Sequence, residues 1–205
     1  TILCYFSSTA NGTLTVTIGS SASTGSMTIG ERGTGTFNLN GGSTGTSGSV
    51  SIGTNATGNG TANIAGAGTT WTTGTMNIGT NGAGALNISN SAKVTTTSSN
   101  TVVPAVSLGG SATVTGAGSQ WDIVGNSAGL SQGVVGLGSK ANSTSTLTVS
   151  NGGKVTITDG ATTTNGQNMQ LRMGISSNST GSLTVTSANS SFTTMRDSWR
   201  PREKL

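Results

Sequence analysis

Five carboxylates and no histidine set the limits of what this chain can do chemically. General acid/base cleavage of a polysaccharide needs two carboxyl groups roughly 5–10 Å apart, one of them with a raised pKa. Asp122 and Asp159 are the only two that fall at comparable points of neighbouring repeats, so they are the only pair that could meet. Each also reads as a solvated turn residue. The lack of histidine removes the commonest general base and the commonest metal ligand. Cys4 is the only cysteine, so the chain can form neither an intrachain disulfide nor a cysteine-rich zinc site. Gly136-Leu-Gly138-Ser-Lys140 has the glycines of a phosphate loop, but Ser precedes Lys and a threonine-rich strand follows where a helix is needed. Trp71 and Trp121 recur at one point of the repeat. Sugar stacking would require them on the surface, and a core or corner position is the expectation. No catalytic, metal or cofactor site is expected.

The elements that must carry these residues follow from composition and period. The chain has 205 residues, of which 34 are Gly, 39 Thr, 31 Ser and 18 Asn; only 7% are charged and 3% aromatic. Helix formers are too scarce for an α-helical protein, and no apolar run approaches the roughly 20 residues of a membrane helix. The low charge and 31% hydrophobic content argue against disorder. A unit of alternating apolar and small polar residues recurs at Leu14/Val16, Phe37/Leu39, Ala62/Ile64, Leu86/Ile88, Ala112/Val114, Leu147/Val149 and Leu183/Val185. The first members are 23, 25, 24, 26, 35 and 36 residues apart. Alternation of period two predicts strands with one buried face.

Two further strand types complete the repeat. One ends in Gly: Met27/Ile29-Gly30, Val50/Ile52-Gly53, Met76/Ile78-Gly79, Val106/Leu108-Gly109, Val135/Leu137-Gly138 and Leu171/Met173-Gly174. The fixed Gly predicts positive φ or close backbone approach. The other carries Trp71, Val94, Trp121, Val155 or Phe192, and no clear version is visible in the first two units. Three strands per unit predict an all-β, right-handed parallel β-helix of about seven coils, 23–36 residues each. A lone coil cannot offset its ordering entropy, so coils must stack. The β-helix domain is expected over 12–195. An atypical segment over 1–11 precedes it, and an atypical charged tail over 196–205, disordered or out of frame, follows.

The stretches Ile64-Ala-Gly-Ala-Gly-Thr-Thr-Trp71, Val114-Thr-Gly-Ala-Gly-Ser-Gln-Trp121 and Leu147-Thr-Val-Ser-Asn-Gly-Gly-Lys-Val-Thr156 resemble the repeat of type V secretion passengers and PEP-CTERM proteins. Thr75-Met-Asn-Ile-Gly79 and Ser182-Leu-Thr-Val185 match its other strands. The resemblance covers about residues 12–195. It implies a secreted or bacterial cell-surface β-helix, associated with the outer membrane in a full-length context with a translocator barrel elsewhere. It brings no catalytic residues.

The functional expectation is a non-enzymatic passenger-like stalk or adhesin fragment. Its expected partners are surface glycans, extracellular matrix or neighbouring cells, with no nucleic acid, because residues 1–195 carry five scattered basic side chains and three acids. Alternatives are a degenerate polysaccharide lyase or hydrolase and an ice-binding solenoid suggested by Thr13-x-Thr15-x-Thr17. The ice-binding pattern is interrupted by Thr36-x-Asn38 and Ala85-x-Asn87. A trimeric adhesin head fails because its period of about 14 is not sustained. The segment after the third element lengthens from 5 residues (Trp71 to Met76) to 12 (Val94 to Val106), 14 (Trp121 to Val135) and 16 (Val155 to Leu171). Insertions at one corner stack on one side of a solenoid, where repeat proteins often bind. The expected ligand-binding positions there are Asp122, Gln132, Asp159 and Gln167.

Overall fold

The protein is represented by a computed structural model that describes residues 11–97, 105–125, 134–158 and 170–195. Among these, every helix or strand element is a strand, and all pairing is parallel. Seven strands form the first sheet in strict chain order: β1 (Gly12–Val16), β3 (Thr34–Asn40), β5 (Asn59–Ala65), β8 (Ala83–Ser89), β11 (Ser111–Thr115), β14 (Thr144–Ser150) and β17 (Thr180–Val185). Each comes from one coil of a β-solenoid. The strands between them form a second, 11-stranded sheet. One arm of it contains β6 (Thr70–Thr73), β9 (Lys93–Thr97), β12 (Gln120–Val124), β15 (Lys154–Thr158) and β18 (Ser191–Met195). The other contains β7 (Met76–Ile78), β10 (Val106–Leu108), β13 (Val134–Leu137) and β16 (Gln170–Met173).

The two arms meet in the early coils. There β2 (Ser21–Ile29) and β4 (Thr44–Ile52) are nine residues long and run through both. The first half of β4 pairs with β6 and its second half with β7. The third element is therefore present in the first two units, contrary to the expectation from sequence, and is continuous with the Gly-ending strand. Ala22 and Gly45 hold the position that Trp71 takes in the next coil. Neither is a large apolar residue, so neither shows in a hydrophobic pattern. The crease between the arms is glycine: a Cβ on Gly74 would strike the Gly48 carbonyl, and one on Gly48 the Gly25 carbonyl. From the Trp71 coil onward the strand is split in two at this crease, as β6 and β7, and from Val94 onward more residues separate the two halves.

The register is the one that the alternating pattern predicts. Leu14, Phe37, Ala62, Leu86, Ala112, Leu147 and Leu183 are successive lateral partners along the first sheet, and Val16 through Val185 form a second such rank. Most members of both ranks are buried; Leu14 and Leu183 are partly buried, and Val185, on the last strand, is exposed. The Gly-ending strands stack in the same way, with Ile29, Ile52, Ile78, Leu108 and Leu137 in one buried rank. The glycine that follows has positive φ at Gly30, Gly53, Gly79, Gly138 and Gly174. Gly109 is the exception: its φ is not positive, but a Cβ there would run into the Gly79 carbonyl. Both reasons for a fixed glycine, conformation and close approach, are thus in use.

Core volume is balanced coil by coil. Phe37 shares a coil with Gly45, Ala62 with Trp71, Leu86 with Val94, Ala112 with Trp121 and Leu147 with Val155. A large side chain on one sheet is matched by a small one on the other, as close packing at constant cross-section requires. The Phe37 and Trp71 rings also meet across adjacent coils, with centroids 5.2 Å apart and a tilt of 53°.

Ile78 is fully buried, and the preceding Asn77 points outward on the same strand. Ile78→Asp is expected to cost roughly 3–5 kcal/mol, the scale of an unpaired buried charge. Asn77→Asp is expected to stay within about 1 kcal/mol. Thermal melts of the two variants compare them directly, and a larger loss at Asn77 would invert the assignment of inside and outside.

Candidate functional site

Asp122 lies on the outer face of the arm formed by β6, β9, β12, β15 and β18. It is a strand residue and not part of the corner segment where the sequence pattern placed it. The reason is that β12 runs on to Val124, with Trp121 and Ile123 turned inward and fully buried, so alternation turns Asp122 out. Its lateral neighbours are Thr95 in the coil before and Thr156 in the coil after. The side-chain amide of Gln120 donates to both carboxylate oxygens of Asp122, at 2.8 Å each. Gln120 itself stands between Lys93 and Lys154 in the same outward rank. Two exposed lysines thus flank one half-buried carboxylate–amide pair across three coils.

Among the described residues Asp122 has no second carboxyl beside it. A catalytic carboxyl needs a partner carboxyl at short range and room for a water or a leaving group. The other described carboxylate, Glu31, belongs to the first coil, four coils from Asp122. At about 4.8 Å per coil that is about 19 Å along the axis. Asp159, Gln132 and Gln167 lie outside the described residues. Among the described residues, no three His, Cys, Asp or Glu side chains form a group that could hold a metal ion.

Trp71 and Trp121 are core residues, with 1% or less of either exposed. Each indole N–H is satisfied inside the solenoid by a hydroxyl two residues further along the strand and one coil earlier. Trp71 Nε1 donates to Ser47 Oγ at 3.2 Å, and Trp121 Nε1 donates to Thr96 Oγ1 at 3.0 Å. Ser47 also accepts from Thr24 Oγ1 (3.0 Å), and Thr96 from Thr73 Oγ1 (3.1 Å). Sequence reasoning noted the tryptophans but not these hydroxyls. The signal was available: a Ser or Thr at the same offset in the coil preceding each Trp.

A second feature hidden in sequence lies on the outer face of the first sheet. Asn38, Asn63 and Asn87 are lateral partners in one outward rank, between Thr15 on one side and Thr113, Thr148 and Thr184 on the other. Asn63 Nδ2 donates to Asn38 Oδ1 and Asn87 Nδ2 to Asn63 Oδ1, both at 2.9 Å; Asn38 Nδ2 donates to Thr15 Oγ1 at 3.2 Å. The adjacent outward rank is Thr13, Thr36, Thr61, Ala85, Ser111, Thr146 and Ser182. Neither rank contains an ionisable side chain.

No protein-family model, curated protein or solved structure matches the chain.

Thr96→Val keeps shape and removes the acceptor for Trp121. The expected loss is about 1–3 kcal/mol, the cost of leaving a buried donor unpaired. Thr156→Val, on an outward position of the same arm, is expected to change stability by less than about 0.5 kcal/mol. Urea melts of both test this, and a neutral Thr96→Val would show that the buried hydroxyl contributes nothing net.

Proposed function

We propose that this chain is a non-enzymatic solenoid module, a passenger-like stalk or adhesive segment that acts outside the cell, at a bacterial surface. The observation that carries the reading is the uninterrupted stacking of like positions. Buried apolar ranks run along the axis, and small, mostly polar residues occupy the outward positions of the first sheet from β1 to β17. Such an object is a rigid rod about 30 Å long at about 4.8 Å per strand. Its described residues expose broad faces of mostly small polar side chains. Asp122 is tied by Gln120 and flanked by threonines. The extracellular assignment rests on the resemblance of the Gly-Ala-Gly-x-x-Trp and Ser-Asn-Gly-Gly segments to type V secretion and PEP-CTERM repeats. In that setting the partners are glycans, matrix or neighbouring cells, and a translocator barrel belongs to the full-length protein.

The test is display on a bacterial surface through a translocator barrel, with adhesion to glycan- and matrix-coated plates measured beside release of sugar from the same polysaccharides. Expected are increased retention of cells and no new reducing ends or unsaturated uronides, with Asp122→Asn indistinguishable from the parent. Sugar release that disappears in Asp122→Asn would move the protein to the polysaccharide-cleaving alternative. Unchanged retention would reject the adhesive reading.

A further inference from the structure

The outer face of the first sheet has a property that a stalk does not need. In sequence the Thr-x-Thr array is broken by Asn38, Asn63, Asn87 and Ala85. In the structure the three asparagines fall into one rank and bond side chain to side chain, so the rank continues from Thr15 to Thr184. Ala85 alone leaves a gap in the neighbouring rank. The result is a plane of short Thr, Asn and Ser side chains in two ranks over seven parallel strands. Its two spacings are about 4.8 Å between strands and about 6.6–6.8 Å between alternate residues of a strand.

Charge distinguishes this face from the other. Lys93, Asp122 and Lys154 all point outward from the second sheet, whereas no outward position in these two ranks is ionisable. An electroneutral plane fits an electroneutral partner, because a desolvated ammonium or carboxylate would oppose docking. The partner should itself be flat and periodic, since neither outward rank carries an aromatic platform for a sugar ring. The Asn ladder holds its amides in place before any partner arrives, which lowers the ordering cost of contact.

We propose that this face adsorbs to ice. Its two repeats are close to the oxygen–oxygen repeats of a prism face of hexagonal ice. Hydroxyl and amide groups at those intervals would hold waters in positions that the crystal continues, while the threonine methyls exclude disordered water between them. The inference is independent of the adhesive reading: either can fail alone.

Ice recrystallisation inhibition and thermal hysteresis by the whole purified chain test it, with folding checked by circular dichroism and melting temperature. Thr61→Lys places a charge at the middle of the plane, beside Asn63 in β5. It is expected to raise the concentration needed for inhibition by roughly tenfold or more. Thr72→Lys, in the same coil but facing outward from the second sheet, is expected to retain the parent's activity. No ice activity in the parent, activity that survives Thr61→Lys, or equal loss in Thr72→Lys would each overturn the proposal. Binding to insoluble cellulose or chitin that is lost in Thr61→Lys, without any ice activity, would overturn it in favour of a neutral polysaccharide.

Discussion

Lateral stacking of one coil on the next is the constraint from which the other features follow. Parallel pairing sends the backbone donors and acceptors of each strand along the axis to its neighbours, so no coil is complete alone. Because pairing fixes register, each side chain is stacked on the residue at the same point of the adjacent coil. A mistake of one residue would turn the whole apolar set outward. Leu14 to Leu183 and Val16 to Val185 hold register through coils that differ in length by more than ten residues. The chain tolerates this because the length differences fall between the paired strands, at the crease between the two arms and at the corner that leads back to the first sheet.

A fixed cross-section then limits what can sit inside. Trp71 is accommodated by Gly45 below it and by Ala62 in its own coil, and a Cβ on Gly45 would approach Trp71 Cδ1 to 2.7 Å. Each indole also brings a polar N–H into the core, which must be satisfied there. The Ser47 and Thr96 hydroxyls do this from the preceding coil. Thr24 and Thr73 continue this polar rank by donating to Ser47 and Thr96, and beyond the last buried indole the rank changes to Ile123 and Ile157. The interior sequence is therefore decided jointly by neighbouring coils.

The exterior is under no such limit, and its two sheets diverge. One carries the Lys93–Gln120–Lys154 rank with Asp122 beside it; the other is an uncharged plane laced by asparagine amides. A solenoid permits this separation because its core is satisfied by inward residues alone. Any specificity the protein has must reside in these outward choices, since scaffold and surface are set by alternate residues of the same strands.

The sequence alone determined the fold class, the strand pairs, the inward ranks and the need for glycine at the end of the Met27/Ile29-type strands. Each is a property of period and spacing within a single coil, and period two with a recurrence near 24 residues leaves little freedom. The tertiary structure decided whatever depends on two coils at once. Ala22 and Gly45 are core positions only because a tryptophan or another coil lies against them. Asp122 faces outward from a strand because β12 extends past it, a boundary fixed by pairing with β9 and β15. Asn38, Asn63 and Asn87 look like interruptions along the chain and become a ladder across it, because stacking brings residues 24 or 25 positions apart to hydrogen-bonding distance.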